Sequence, residues 1–164
     1  MTTNKDEKDL TERLISQWAS ESPDLDVAAM AIVGRVMRLG RRFEYDAAAV
    51  LKPLGLVYTD FDILATLRRS GPPYELTPGE LGEAVLLSSG AMTAALDRLS
   101  NAALIERPVN DYDRRIKSAR LTAAGKRLSK RAAKARFAVA ASAVDGLSRH
   151  ERATLATLLK ALGQ

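Results

Sequence analysis

Residues Leu76–Gly125 read LTPGELGEAVLLSSGAMTAALDRLSNAALIERPVNDYDRRIKSARLTAAG, and the order of local signals in them decides the fold. Thr77-Pro78-Gly79-Glu80 combines a capping hydroxyl, a proline at the first helical position and a glutamate three residues after the cap. That combination satisfies the orphan amides of a helix start and predicts a short helix to about Val85. Ser88 or Ser89 caps a second helix, in which Met92, Leu96 and Leu99 recur at helical spacing. Leu104–Arg107 and Lys117–Leu121 read as short strands around the turn formers Asn110-Asp111-Tyr112-Asp113. Thr122 then opens another helix. Two short helices, a hairpin and a helix in this order predict a helix-turn-helix followed by a β-wing. A basic tip on such a wing suits contact with a nucleic-acid backbone.

Outward from this stretch the chain is helical. Asp6–Ser20 fits an amphipathic helix with Leu10, Leu14, Ile15 and Trp18 on one stripe. Ser22-Pro23-Asp24 separates it from a long helix, about Leu25 to Leu51, with Leu25, Ala28, Ala29, Ile32, Val36, Leu39 and Phe43 at steps of three and four. Arg35, Arg38, Arg41 and Arg42 occupy its other face, read as solvated. Lys52-Pro53 and Gly55 break it. Thr59 is expected to cap a helix containing Phe61, Ile63, Leu64 and Leu67, stopped by Gly71-Pro72-Pro73. After Thr122 an alanine-rich helix is expected to reach about Asp145, with Gly146 as its stop. Ser148-Arg149-His150-Glu151 is a second capping box, opening a last helix lined by Leu155, Leu158, Leu159 and Leu162. These leucines suit an intramolecular core or a dimer seam. The expected architecture is mainly α with one small β-hairpin.

Composition bounds the chemistry. A chain of 164 residues supports one core without covalent staples. It has no cysteine and a single histidine, His150, which leaves no thiol redox centre and no structural zinc shell. No cofactor or metal is expected. No apolar run is long enough to span a bilayer and the N-terminus lacks a signal-peptide core, so a cytoplasmic location is expected. The net charge of +5 is unevenly spread: residues 107–136 carry eleven Lys/Arg against Asp111 and Asp113, whereas residues 1–26 carry three basic groups against seven acids. Such concentration suggests a polyanionic partner.

In a helix-turn-helix the second helix presents its N-terminal residues to base edges in the major groove. Here these are Ser88, Ser89, Gly90 and Thr93, with Arg98 one turn on and expected to reach a phosphate. Taken alone, Ser88 and Ser89 read better as simple caps. The wing tip, Asp113, Arg114, Arg115 and Lys117, tilts the reading toward DNA. Long cations there can enter a minor groove, and Asp113 can hold the guanidinium of Arg115.

The spacing D-x-R-x5-L-T-x-x-G, at Asp113, Arg115, Leu121, Thr122 and Gly125, resembles the wing signature of MarR-family transcriptional regulators, a likeness that extends from Met30 to the C-terminus. The resemblance implies a homodimeric winged helix-turn-helix protein with intertwined N- and C-terminal helices, binding a pseudo-palindromic duplex and released by a small, often aromatic, anion. It implies an additional N-terminal helix at residues 1–22, dimerisation helices at 23–58 and 123–164, and a DNA-binding domain at 59–122. QWASESPDLD, FDILATLRRSG and LLSSGAMT, beginning at Gln17, Phe61 and Leu86, are similar to the urate-responsive branch. That likeness implies an effector site using Trp18, Asp62 and Arg107. The branch's recognition helix carries an arginine in T-N-R-I-D-R-L, where this chain has Ala95 within Thr93-Ala94-Ala95-Leu96-Asp97-Arg98-Leu99. Losing that cation weakens a urate-like anion by roughly one to two orders of magnitude. Trp18 equally suits an apolar anchor for the first helix, and Asp62 suits pairing with Arg68 or Arg69.

The function expected from these readings is a DNA-binding regulator, a repressor released by a small anion, that is neither an enzyme nor a membrane protein. The alternative is a sequence-tolerant architectural DNA-binding protein without an effector.

Overall fold

A computed structural model describes residues 10–85, 87–108 and 118–163. The chain divides into two units, Met1–Asp46 and Ala47–Gln164. The first holds α1 (Leu10–Glu21) and most of α2 (Val27–Leu51), which runs on across the boundary. Asp26 starts α2 by accepting a hydrogen bond from the amide of Ala29 at 2.9 Å, a residue or two later than the proline punctuation suggested. Thr11 is the buried residue of α1, and its methyl group lies 3.6 Å from where a Cβ on Gly34 would stand. The apolar stripes face outward instead: Leu10, Leu14, Ile32, Val36 and Leu39 are each 43–51% exposed, and Trp18 is 51% exposed.

The second unit contains the hydrophobic core. The end of α2 leads into a 3₁₀ turn at Lys52–Leu54, closed by Gly55 at φ 71°, where a glycine relieves the left-handed backbone. α3 (Tyr58–Arg69) follows. Val57 is its extended entry residue and makes no side-chain cap, so Thr59 lies inside the first turn and does not cap the helix as expected. The tight 3₁₀ turn delivers the chain in extended form at Val57, and the Phe61 amide bonds the Val57 carbonyl at 3.1 Å. Ile63, Leu64 and Leu67 of α3 are fully buried, together with Leu51 and Leu81.

α4 (Pro78–Ala84), α5 (Ser89–Asn101), α6 (Ala123–Ala143) and α7 (Arg149–Leu162) complete the helices. Leu96 and Leu99 of α5 and Ala132 of α6 close the core around α3. Between the helices lie β1 (Glu75–Leu76), β2 (Ile105–Glu106) and β3 (Ala119–Leu121), an antiparallel sheet in the order β1-β3-β2. The expected hairpin is β2–β3. The third strand, β1, is too short to leave a period-two signature. Ala119, Leu121 and Ile105 are buried, while Glu75, Arg120 and Glu106 lie in register across the three strands.

α6 ends at Ala143, with Val144 as its cap, just before the Asp145–Gly146 stop. α7 begins with the expected capping box of Ser148 and Glu151. Leu155, Leu158, Leu159 and Leu162 are 41–60% exposed, so they form no core within the single chain. Among the described residues no helix is long and apolar enough to cross a membrane.

Candidate nucleic-acid interface

The helix pair α4 and α5 is fixed at both starts by side-chain chemistry. The Thr77 amide donates to Glu80 Oε2 at 2.7 Å, the Thr77 hydroxyl donates to the same oxygen at 2.8 Å, and the Glu80 amide donates to Thr77 Oγ at 3.3 Å. These bonds favour the ionised carboxylate and hold Glu80 below its ordinary pKa. Ser88, rather than Ser89, caps α5 by accepting from the Ala91 amide at 3.3 Å. Val85 and Leu81, both buried, seat the turn between the two helices on the core.

α5 is two-faced. Met92, Ala95, Leu96 and Leu99 point into the core, whereas Ser88, Ser89, Gly90, Thr93, Ala94 and Asp97 are exposed. The expected reading residues Ser88, Ser89, Gly90 and Thr93 thus form one outward leading edge. The Thr93 hydroxyl donates to the Ser89 carbonyl at 3.0 Å. A Cβ on Gly90 would meet nothing within 4 Å, so no packing inside the chain requires glycine there. Ala95 sits on the opposite, buried face.

Arg98 is placed otherwise than expected. Its Nη2 donates to Asp60 Oδ1 at 2.6 Å and its Nε to Asp60 Oδ2 at 3.3 Å, a fork that joins α5 to the first turn of α3. Asp60 is buried at 6% exposure. The carboxylate raises the pKa of Arg98 further above its already high ordinary value.

At the base of the wing, the Pro108 carbonyl accepts from the Ser118 amide at 3.0 Å and from the Ser118 hydroxyl at 3.3 Å. The same hydroxyl donates to Glu75. Arg120 is ion-paired to Glu106 at 2.9 Å and to Glu75 at 3.5 Å, so its charge is compensated within the sheet. The tip carrying Asp113, Arg114, Arg115 and Lys117 lies outside the described residues.

The remaining part of the wing spacing has a structural cause. Leu121 is buried, and the Thr122 hydroxyl donates to the Ala103 carbonyl at 2.8 Å and accepts from the Gly125 amide at 3.0 Å. A Cβ on Gly125 would stand 2.0 Å from the Leu104 carbonyl oxygen, so only glycine fits. Thr122 and Gly125 together fasten the start of α6 to the end of α5.

The sequence reading placed Lys126 and Arg127 of α6, with Arg120, among the cations near the wing that favour DNA, but gave the rest of the helix no site. Arg127, Lys130, Arg131 and Lys134 are all exposed and spaced along one side of the helix. Their i, i+3, i+4, i+7 separation was the available signal. Lys126 instead covers the Tyr74 ring at 4.4 Å, and Arg68 turns inward to donate to the Lys126 carbonyl at 2.9 Å.

Of the expected effector residues, Asp62 lines a cavity of about 360 Å³ between α3 and α6, with Tyr58, Phe61, Arg69, Arg136 and Phe137 among its other walls. Burial raises the pKa of Asp62 and Arg69 partly opposes the shift. Arg107 is half-buried just after β2, and Trp18 belongs to the first unit. Arg35, Arg38 and Arg42 are exposed, as expected of a solvated face, and line a groove of about 370 Å³ with Thr11 and Leu39.

The MarR-family model matches residues 54–116, the stretch that holds α3, the capped helix pair α4–α5 and β2. The chain is 36% identical over 112 residues to the HTH-type transcriptional regulator PecS of Dickeya dadantii, 68% of each chain. The chain belongs to the MarR family. It is also 30% identical over 126 residues to the HTH-type transcriptional repressor Rv2887 of Mycobacterium tuberculosis, covering 77% of this chain and 88% of that one. The crystal structure of Rv2887 in complex with p-aminosalicylic acid matches with a TM-score of 0.62 and 29% identity, over 79% of this chain and 95% of that one. AbsC, a MarR family transcriptional regulator from Streptomyces coelicolor, shares the fold with a TM-score of 0.74 at 24% identity, over 85% of this chain and 93% of that one. The MarR family is one of transcriptional regulators and not of enzymes.

Proposed function

We propose that this MarR-family chain is a repressor that binds duplex operator DNA as a homodimer and leaves it when a small aromatic anion binds. The observation that carries the DNA reading is the division of α5. Its inner face is wholly committed to the core, and its outer leading edge offers Ser88, Ser89, Gly90 and Thr93 with no packing duty. Hydroxyls and free amides at a helix N-terminus suit phosphates and base edges. The sequence pattern adds the tip residues Asp113, Arg114, Arg115 and Lys117 as minor-groove contacts. The exposed row Arg127, Lys130, Arg131 and Lys134 extends the positive surface along α6.

Dimerisation is supported by apolar side chains left in solvent: Leu10, Leu14, Ile32 and Val36 in the first unit, and Leu155, Leu158, Leu159 and Leu162 in the second. Apolar patches of this extent mark association surfaces. For the effector, the support is the α3–α6 cavity, where aromatic rings stand beside Arg69 and Arg136. A relative solved with p-aminosalicylic acid, an aromatic carboxylate, points the same way. Trp18 and Arg107 enter this reading through the sequence resemblance alone. Ala95, buried in the core, offers no cation, which favours an effector other than urate.

The test is a salt titration on a duplex selected from a random pool. Affinity falls with a slope near −0.9 per phosphate neutralised, and the selected site outcompetes random duplex by roughly 10³-fold. A flat salt response removes the DNA reading. Salt-dependent binding without site preference leaves the architectural alternative.

A further inference from the structure

We propose that the fork between Asp60 and Arg98 sets the pose of α5 against α3. Arg98 is then a positioning residue for operator reading and not a phosphate contact, a conclusion that rests on the DNA-binding reading above.

Three features of the pair carry this. First, the guanidinium is occupied on three nitrogens by its own chain: Nε and Nη2 donate to Asp60 at 3.3 and 2.6 Å, and Nη1 donates to the Ala94 carbonyl at 3.5 Å. A phosphate would have to compete with a charged, two-point partner already in place. Second, the carboxylate side of the fork is buried while the guanidinium side is 52% exposed. Turning Arg98 out toward DNA would leave the Asp60 charge buried and unpaired, which is strongly unfavourable. Third, the side chains that α5 turns into the core are apolar, Met92, Ala95, Leu96 and Leu99. Such contacts are non-directional and constrain its rotation and its slide along its own axis less sharply than a hydrogen-bonded pair does. A bidentate pair is directional and fixes both.

The fork also lies at an informative place. Asp60 is in the first turn of α3, and Arg98 is in the third turn of α5, beyond the leading edge at Ser89, Gly90 and Thr93. A small rotation allowed at Arg98 swings that edge. Arginine is required for this role, because a lysine ammonium carries the same charge but cannot span both oxygens in one plane.

Arg98→Lys therefore separates the two roles. The experiment uses the full chain carrying Arg98→Lys, Arg98→Gln, Asp60→Asn, or Asp60→Asn with Arg98→Gln. It reads hydrogen exchange of the α5 amides against those of α6, and binding of the selected duplex across a salt series. Positioning predicts that all three single variants lower α5 protection and duplex affinity by roughly tenfold or more, the scale of a lost charge-assisted hydrogen bond. It also predicts an unchanged salt slope and a double variant no worse than the poorer single one. Overturning results are an Arg98→Lys variant that binds like the wild type while Arg98→Gln makes the slope shallower by about 0.9, or an Asp60→Asn variant with unaltered exchange and affinity. If the wild type bound no duplex in a salt-dependent way, the DNA reading would fall separately, and the exchange measurement would still decide whether the fork holds α5.

Discussion

Replacing Gly125 with alanine tests the locking of α6 onto the end of α5. The new Cβ would stand 2.0 Å from the Leu104 oxygen, 3.0 Å from the Leu104 carbonyl carbon and 3.2 Å from Leu121 Cδ2. Real Cβ atoms do not come within 3.0 Å, so the Leu104 carbonyl or the α6 backbone must move by at least about 1 Å. That carbonyl accepts from the Thr122 amide at 3.1 Å and the Thr122 hydroxyl at 3.2 Å, and neither bond survives such a shift unchanged. Overpacking of this kind costs about 1–3 kcal/mol. Weakening two hydrogen bonds adds about 0.5–1.5 kcal/mol each. Alanine's better helix propensity returns about 1 kcal/mol. The net expectation is a loss of about 3 kcal/mol, within a range of about 1–5. Urea unfolding measures it, with Gly82→Ala as the control, since a Cβ there meets nothing within 4 Å and sits in α4. The control should hold or gain stability. Equal midpoints for Gly125→Ala and the wild type would refute the reasoning.

Ala103 is held at φ 53° after α5, a backbone that disfavours side chains by about 1–2 kcal/mol. Ala103→Gly should therefore raise the unfolding free energy by up to about 1 kcal/mol once the looser unfolded chain is counted; a lower urea midpoint contradicts this. Thr77→Ala should cost about 1 kcal/mol at neutral pH. Because Glu80 is held below its ordinary pKa, its share of the box is present above the unfolded value and is lost as pH falls through the lowered folded one, so the deficit should shrink in acid. The sign is opposite for Asp62, whose pKa is raised by burial. Its ionised form costs stability above the folded pKa, and the cost vanishes as pH falls. Asp62→Asn should accordingly be more stable than the wild type at neutral pH and indistinguishable from it in acid, as read by paired denaturant titrations.

The parts of the fold legible in the sequence were those whose signal is local. The Thr77–Glu80 and Ser148–Glu151 boxes are closed by residues three apart, and both stand where their spacing placed them. The core face of α5 followed from Met92, Leu96 and Leu99, and its leading edge from the cap at Ser88. What the sequence hid depends on partners distant along the chain. Two-residue β1 exists because β3 pairs with it from more than forty positions away. Arg98 looked free because Asp60 lies 38 residues earlier. Arg120 looked like part of a cationic surface until Glu75 and Glu106 flanked it in register. The start of α3 was misplaced because an extended Val57 has no capping side chain to announce it.

The strand order β1-β3-β2 has a kinetic consequence. Glu75 and Leu76 meet Arg120 and Ala119 only by closing a loop that contains the whole α4–α5 pair and the wing. Loop closure over such a span gives up chain entropy before any contact repays it. The leucines that join α3 to α5 lie nearer in sequence than β1 does to β3, and β2 nearer still to β3, so the β1–β3 pairing is completed last. Native fluctuations should retrace that order, so the sheet at the foot of the wing opens first and sets how long the reading head keeps its shape.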